Sequence, residues 1–298
     1  MKAQSSISSI VPYLIMAFLN TFVDIGHKAL MMDAVYSTST AHTFTLLSST
    51  VNGLMLLPYI LFFTPCGFIA DRWPKALVLR WTVLSAIPIT LFLTLCYYKG
   101  WFWLAFCGTV LMALQSAINS PAKYGYIKET FGKSQIARAN GMVQAVVIFA
   151  IVISQAVFTF LANALVAHRL SHVSSKDVFI TGFAPIGFVL VVLAICENYV
   201  TRRLIQSPAA DQESKYEVGQ VFKLRYLRDY LSQAFGNKTI VVCILGLSLF
   251  FAVNQELLAI YGAYLKETVG SSANFALSSI GVAGVGILIG AWYAGRIS

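Results

Sequence analysis

Asp24, His27, Lys28 and Asp33 lie within ten residues of one another, inside an otherwise apolar run at 9–35. Asp24 and Lys28 are four apart and share one face of a helix, with Asp N-terminal to Lys, the favourable order for a pair. His27 sits three residues from Asp24 on nearly the same face. An imidazole changes charge near neutral pH in water, which makes His27 a candidate proton carrier. The chemistry on offer is charge recognition: Asp24 for Na⁺, H⁺ or a substrate ammonium, Lys28 for a phosphate. The competing structural reading is a buried ion pair kept for helix packing, in which the two side chains neutralise one another. Asp33, nearer the end of the run, reads as a surface or mouth residue.

The elements that position these groups follow from composition. Of 298 residues, 58% are hydrophobic and 11% charged, and the mean hydropathy is +0.73; soluble domains carry about 25% charged residues. Apolar runs near 9–35, 43–70, 76–98, 101–122, 139–162, 178–198, 239–261 and 276–295 have about the length a helix needs to cross a bilayer. They lack the period-2 alternation of a membrane barrel, and helices are the remaining way to satisfy a backbone in lipid. The chain therefore reads as an all-α polytopic membrane protein. An ionisable side chain at that depth costs about 3 kcal/mol or more, so it usually faces a protein interior or a wet cavity and carries function. Such a span points to a transporter or channel.

The net charge of +9 is a topology signal and does not imply a nucleic-acid partner. With the N-terminus placed in the cytoplasm, sixteen of the 21 cations fall on that side, four on the other, and Lys28 in the membrane, as the positive-inside rule requires. Met1 to Ser9 resembles no cleaved leader, so the first span is expected to remain. Three regions are expected: a six-helix bundle over 1–200, a cytoplasmic linker over 201–238, and the first two helices of a second bundle over 239–298. Eight spans in a six-plus-two layout read as part of an expected twelve, and the natural chain is expected to continue past Ser298. In the linker, Val218, Val221, Phe222, Leu224, Leu227, Leu231 and Phe235 recur at helical spacing beside Lys223, Arg225 and Arg228. That pattern fits an amphipathic helix on the membrane surface or one packed on the bundle. The five cysteines, lacking C-x-x-C spacing, read as buried free thiols.

Other polar residues interrupt the spans. Gln115, Asn119 and Lys123 follow one another at single-turn spacing, as a polar path on a cavity wall or as glue between helices, while Lys123 could snorkel to the interface. Glu256, beside Asn254, is expected to face the cleft between bundles. His168, His172 and Asp177 share one loop, where solvation is favoured over a metal site. There is no Gly-rich phosphate loop for ATP-driven transport, and no nucleophile, base and orienting group fall together for an enzyme. No organic cofactor or resident metal is implied; a coupling ion, Na⁺ or H⁺, is.

Gly67-Phe68-Ile69-Ala70-Asp71-Arg72-Trp73-Pro74-Lys75 joins spans 2 and 3 and resembles the G-x-x-x-D-R-x-x-[RK] loop of the major facilitator superfamily, with Pro74 where Gly is frequent. A weaker echo, Ala291-x-x-x-Gly295-Arg296, follows span 8. Asp24-Ile25-Gly26-His27-Lys28-Ala29-Leu30, Asn119-Ser120-Pro121-Ala122-Lys123-Tyr124-Gly125 and Ala137-Arg138-Ala139-Asn140-Gly141 resemble patterns of the bacterial lysophospholipid transporters, although Ile25 and His27 depart from them. The resemblance implies a bundle that rocks about a midplane site, with Gly67, Asp71, Arg72 and Lys75 as a conformational latch. It also implies an inner-membrane protein that flips lysophospholipids, the lysophosphatidylethanolamine class foremost, among membrane lipids for reacylation. In many relatives an acyltransferase and an acyl-carrier-protein synthetase are fused behind it, making them implied partners. The alternatives are a secondary exporter of a small amphipathic molecule and a membrane anchor for an acyltransferase.

Overall fold

The apolar runs form helices, and turn chemistry sets where they stop. The computed structural model describes residues 7–131, 136–167, 175–206 and 225–264, with Gly286 and Gly290. The helices are α1 (Ile7–Thr38), α2 (Ala41–Leu61), α3 (Phe63–Arg72), α4 (Lys75–Lys99), α5 (Phe102–Phe131), α6 (Ile136–Ala162), α7 (Lys176–Thr181), α8 (Ala184–Thr201), α9 (Arg225–Phe235) and α10 (Lys238–Tyr264). Thr40 opens α2 by accepting the Thr43 amide on its hydroxyl at 3.4 Å, as an N-cap does. Gly100 closes α4 at φ 71°, and the amides of Trp101 and Gly100 return to the carbonyls of Cys96 and Tyr97 at 2.9 and 3.0 Å. A glycine takes this left-handed position without the Cβ penalty other residues meet.

Six segments are long and apolar enough to cross a membrane: Ile10–Thr38, Ala41–Leu61, Lys75–Lys99, Phe102–Lys128, Ala139–Leu165 and Ala184–Thr201. The expected run at 43–70 is not one straight helix. It breaks at Phe62, because Pro65 has no amide to give the Leu61 carbonyl and its ring crowds that carbonyl. Regular bonding resumes from Cys66 to the Phe62 carbonyl at 2.9 Å. The seventh run forms α10, which packs against α2. Of the eighth, only Gly286 and Gly290 are described, and both are helical. The linker pattern yields a helix from Arg225 onward, and its residues 218–224 lie outside the described ones.

Helix α1 is the hub, packed on α6, α8 and α5, while α4 lies between α5 and α8. The core is split along the bundle. One apolar cluster, at the Gly100 end, holds Leu30, Leu93, Phe158, Phe183 and their neighbours. The other, toward Asp71, is built from Tyr13, Met16, Leu79, Val83, Tyr126 and Val143. Between them, or at their boundary, lie the buried polar side chains of Asn20, Thr82, Gln115, Ser116, Asn119 and Glu197. All five cysteines are free, but only Cys66 and Cys96 are buried; Cys107, Cys196 and Cys243 are exposed. The expectation of burial fails for these three because a helix in lipid is apolar all round, so an apolar setting in sequence does not say which face turns inward.

Candidate functional site

The polar layer is assembled from four helices, α1, α4, α5 and α8. From α1, Asp24 reaches α5 and accepts a hydrogen bond from the Ser116 hydroxyl on Oδ2. Next to Ser116, the Gln115 amide donates to the Thr82 carbonyl of α4 at 3.1 Å, and Asn119 Nδ2 donates to the Thr82 hydroxyl at 3.0 Å. Thr82 in turn donates back to the Val78 and Leu79 carbonyls of its own helix. This holds α5 at a fixed height against α4. Asn119 Oδ1 stays buried and, among the described residues, without a hydrogen-bond partner.

Lys123, one turn beyond Asn119, is buried rather than snorkelling. Its ammonium interacts electrostatically with Asp24 and with Glu197 of α8. Glu197 is 0% exposed, and among the described residues neither carboxylate oxygen has a hydrogen-bond partner. It also interacts electrostatically with Asp24, and Asn20 of α1 is its polar neighbour. The Tyr59 hydroxyl of α2 faces the Asp24–Ser116 pair. Beside it a cavity of about 370 Å³ runs between α2–α3 and α5, lined by Phe63, Cys66, Gly67 and Asp71 on one wall and Ala117, Ser120 and Pro121 on the other. Pro121 leaves the Ala117 carbonyl without its helical donor, and the cavity lies against that loosened turn.

Three expectations are corrected. Asp24 and Lys28 share a face but form no ion pair; Asp24 turns across to Ser116, which satisfies it without folding back along its own helix. His27 does not face the layer. Its ring is 1% exposed, with Nδ1 2.5 Å from the Tyr97 hydroxyl of α4 and Nε2 3.1 Å from the Thr109 hydroxyl of α5. Both nitrogens meet hydroxyls, so His27 links three helices. Asp33 is buried, with Oδ1 unpartnered among the described residues, and is no surface residue.

Gly67 and Asp71 line the cavity mouth, and Arg72 is half-buried beside them. Lys75 is buried and lays its stem over Gly125, where a Cβ would overlap Cδ and Cε of the lysine. Arg80 donates from Nη2 to the carbonyls of Arg202 and Leu204 at 2.9 and 2.8 Å, a cation on the C-terminal end of α8. The backbone of Glu256 lies in α10; its side chain, that of Asn254, and His168 and His172 lie outside the described residues. Asp177 accepts the Phe102 amide at 3.3 Å, tying α7 to the start of α5.

The residue the sequence reading missed is Glu197. A carboxylate inside an apolar run is a signal, but this one is the last-but-one residue of its run and precedes Asn198 and Arg202-Arg203, so locally it looks like a helix end at the membrane surface.

A bundle apolar on its outside and charged within is that of a multi-pass membrane transport protein. Residues 4–298 match the Major Facilitator Superfamily, and the chain belongs to it; this places it among transporters and not enzymes. It is similar to two proteins named lysophospholipid transporter LplT. One, from Photorhabdus laumondii subsp. laumondii, is 26% identical over 247 residues, covering 82% of this chain and 55% of the relative. The other, from Serratia proteamaculans, is 23% identical over 252 residues, covering 82% and 54%. The chain thus spans about half the length of the curated relatives it matches.

Proposed function

We propose that this protein carries lysophospholipids, the lysophosphatidylethanolamine class foremost, across a bacterial inner membrane for reacylation, with its N-terminus in the cytoplasm. The observation that carries this reading is the meeting of opposite charges with an apolar cavity. Half-buried Asp24 and buried Lys123 lie in one polar layer, and the cavity beside Tyr59 has mostly apolar walls. An ethanolamine ammonium matches Asp24, a phosphate matches Lys123 or Lys28, and a single acyl chain matches the cavity wall. The names of the two similar proteins support the same substrate class. Gly67 and Asp71 on the cavity wall, with Arg72 and Lys75 of the same corner, would act as the latch between transport states, with Na⁺ or H⁺ as coupling ion. A fused or associated acyltransferase would consume the product.

The test is uptake of labelled lysophosphatidylethanolamine into vesicles carrying the full-length protein, wild type beside Asp24→Asn. The variant is expected to lose at least about tenfold in rate, the factor that 1.4 kcal/mol of lost interaction produces. Undiminished uptake in Asp24→Asn would remove the charged layer from substrate handling.

A further inference from the structure

Glu197 lies at a depth where a bare carboxylate is costly. Its side chain is fully enclosed; the Asn20 side chain of α1 stands beside it, but no donor among the described residues meets either oxygen with full hydrogen-bond geometry. A buried polar group in this condition needs a ligand or a proton, since leaving it unmet costs the full desolvation of the group. The charges around it can be counted by element. Helix α1 presents Asp24, and α5 presents Lys123. Lys28, one turn beyond Asp24, is not among the charges that act on Asp24 or Glu197. Helix α4 places Lys75 and Lys99 at its two ends and commits Arg80 to the end of α8, while α6 carries its one cation, Arg138, at its start. Two carboxylates against one ammonium leave one negative charge uncompensated in an apolar setting.

We infer that Glu197 is the proton-binding residue of the transport cycle, a role that rests on the lysophospholipid reading only for its link to substrate. A proton adds to one Glu197 oxygen, forming an O–H bond and bringing the layer to neutrality. A metal cation would need several oxygens converging on one point, and in this layer only the Glu197 pair and Asn119 Oδ1 are unpartnered among the described residues. The link runs through Lys123. With Glu197 ionised, Lys123 is shared between two carboxylates. With Glu197 protonated, Lys123 answers to Asp24 alone and its ammonium is released toward a phosphate. Proton and phosphate therefore bind together, and loss of the proton to water draws Lys123 back and expels the headgroup.

The experiment has two arms on the full-length protein in vesicles. In the first, an apolar carbodiimide, which attaches to protonated buried carboxyls, is applied across a pH series and the modified residue is mapped by mass spectrometry. Modification at Glu197 that declines as pH rises is the expected result, and its absence there overturns the assignment whether or not any lipid moves. In the second, uptake of labelled lysophosphatidylethanolamine is compared with and without an inward gradient of one pH unit, worth up to about tenfold in accumulation for one coupled proton. The wild type is expected to respond and Glu197→Gln to show a ratio near one. A gradient response retained in Glu197→Gln, or a wild type driven by Na⁺ and not by H⁺, overturns the proposal. A wild type that moves no lysophospholipid overturns the substrate reading, and the carbodiimide arm then decides Glu197 by itself.

Discussion

Two polar regions sit less than two helical turns apart along α1 and are finished differently. Around His27, both ring nitrogens meet hydroxyls, and the ring stacks on Tyr97 with centroids 6.2 Å apart. Around Asp24, Lys123 and Glu197 the bonding is left incomplete: Asn119 Oδ1 and both Glu197 oxygens are buried and unpartnered among the described residues. The first arrangement stabilises because its members consume one another's hydrogen-bonding capacity. The second holds capacity in reserve for something that comes and goes. Titratable residues in a membrane helix are therefore not equivalent, and what separates structural from functional ones is whether the protein itself has closed the account.

The comparison can be broken by substitution. Lys123→Met removes the ammonium that acts on both Asp24 and Glu197 and is expected to lower the thermal midpoint of the purified protein and to abolish uptake. A midpoint like that of the wild type would mean that the layer is not held by this charge. His27→Phe leaves the Tyr97 and Thr109 hydroxyls without their partner, at about 1–3 kcal/mol each at most; stability should fall while the ion dependence of uptake persists. The reverse outcome, stable protein with ion dependence lost, would exchange the roles of the two regions. Gly26→Ala tests the scaffold both regions share. Its Cβ would stand 2.6 Å from the enclosed Phe158 ring of α6, and such overpacking costs about 1–3 kcal/mol, so the midpoint should drop modestly with the substrate and ion profile intact.

Much of the fold was legible in the sequence because membrane helices are written in long apolar runs, and six of the expected spans form membrane-length helices. The break at Phe62 was not foreseen, although Pro65 was its visible cause; hydropathy does not register a missing amide. Asp24 and the Gln115–Asn119–Lys123 series were legible as interruptions, and the structure gathers them. The direction each side chain takes was not legible. Spacing places His27 beside Asp24, but its partners come from residues 70 and 82 positions away, and no local rule contains that information. Glu197 was hidden by the same limit, since only the packing of α8 against α1 and α4 turns the last carboxylate of an apolar run inward.

The passage of Lys75 over Gly125 joins two stretches 50 residues apart that looked like separate signatures. Gly125 is also only two residues beyond Lys123 on one continuous helix. The missing Cβ is thus what seats the α3–α4 corner directly on the helix that carries the buried ammonium, and a methyl group at Gly125 would wedge the two apart.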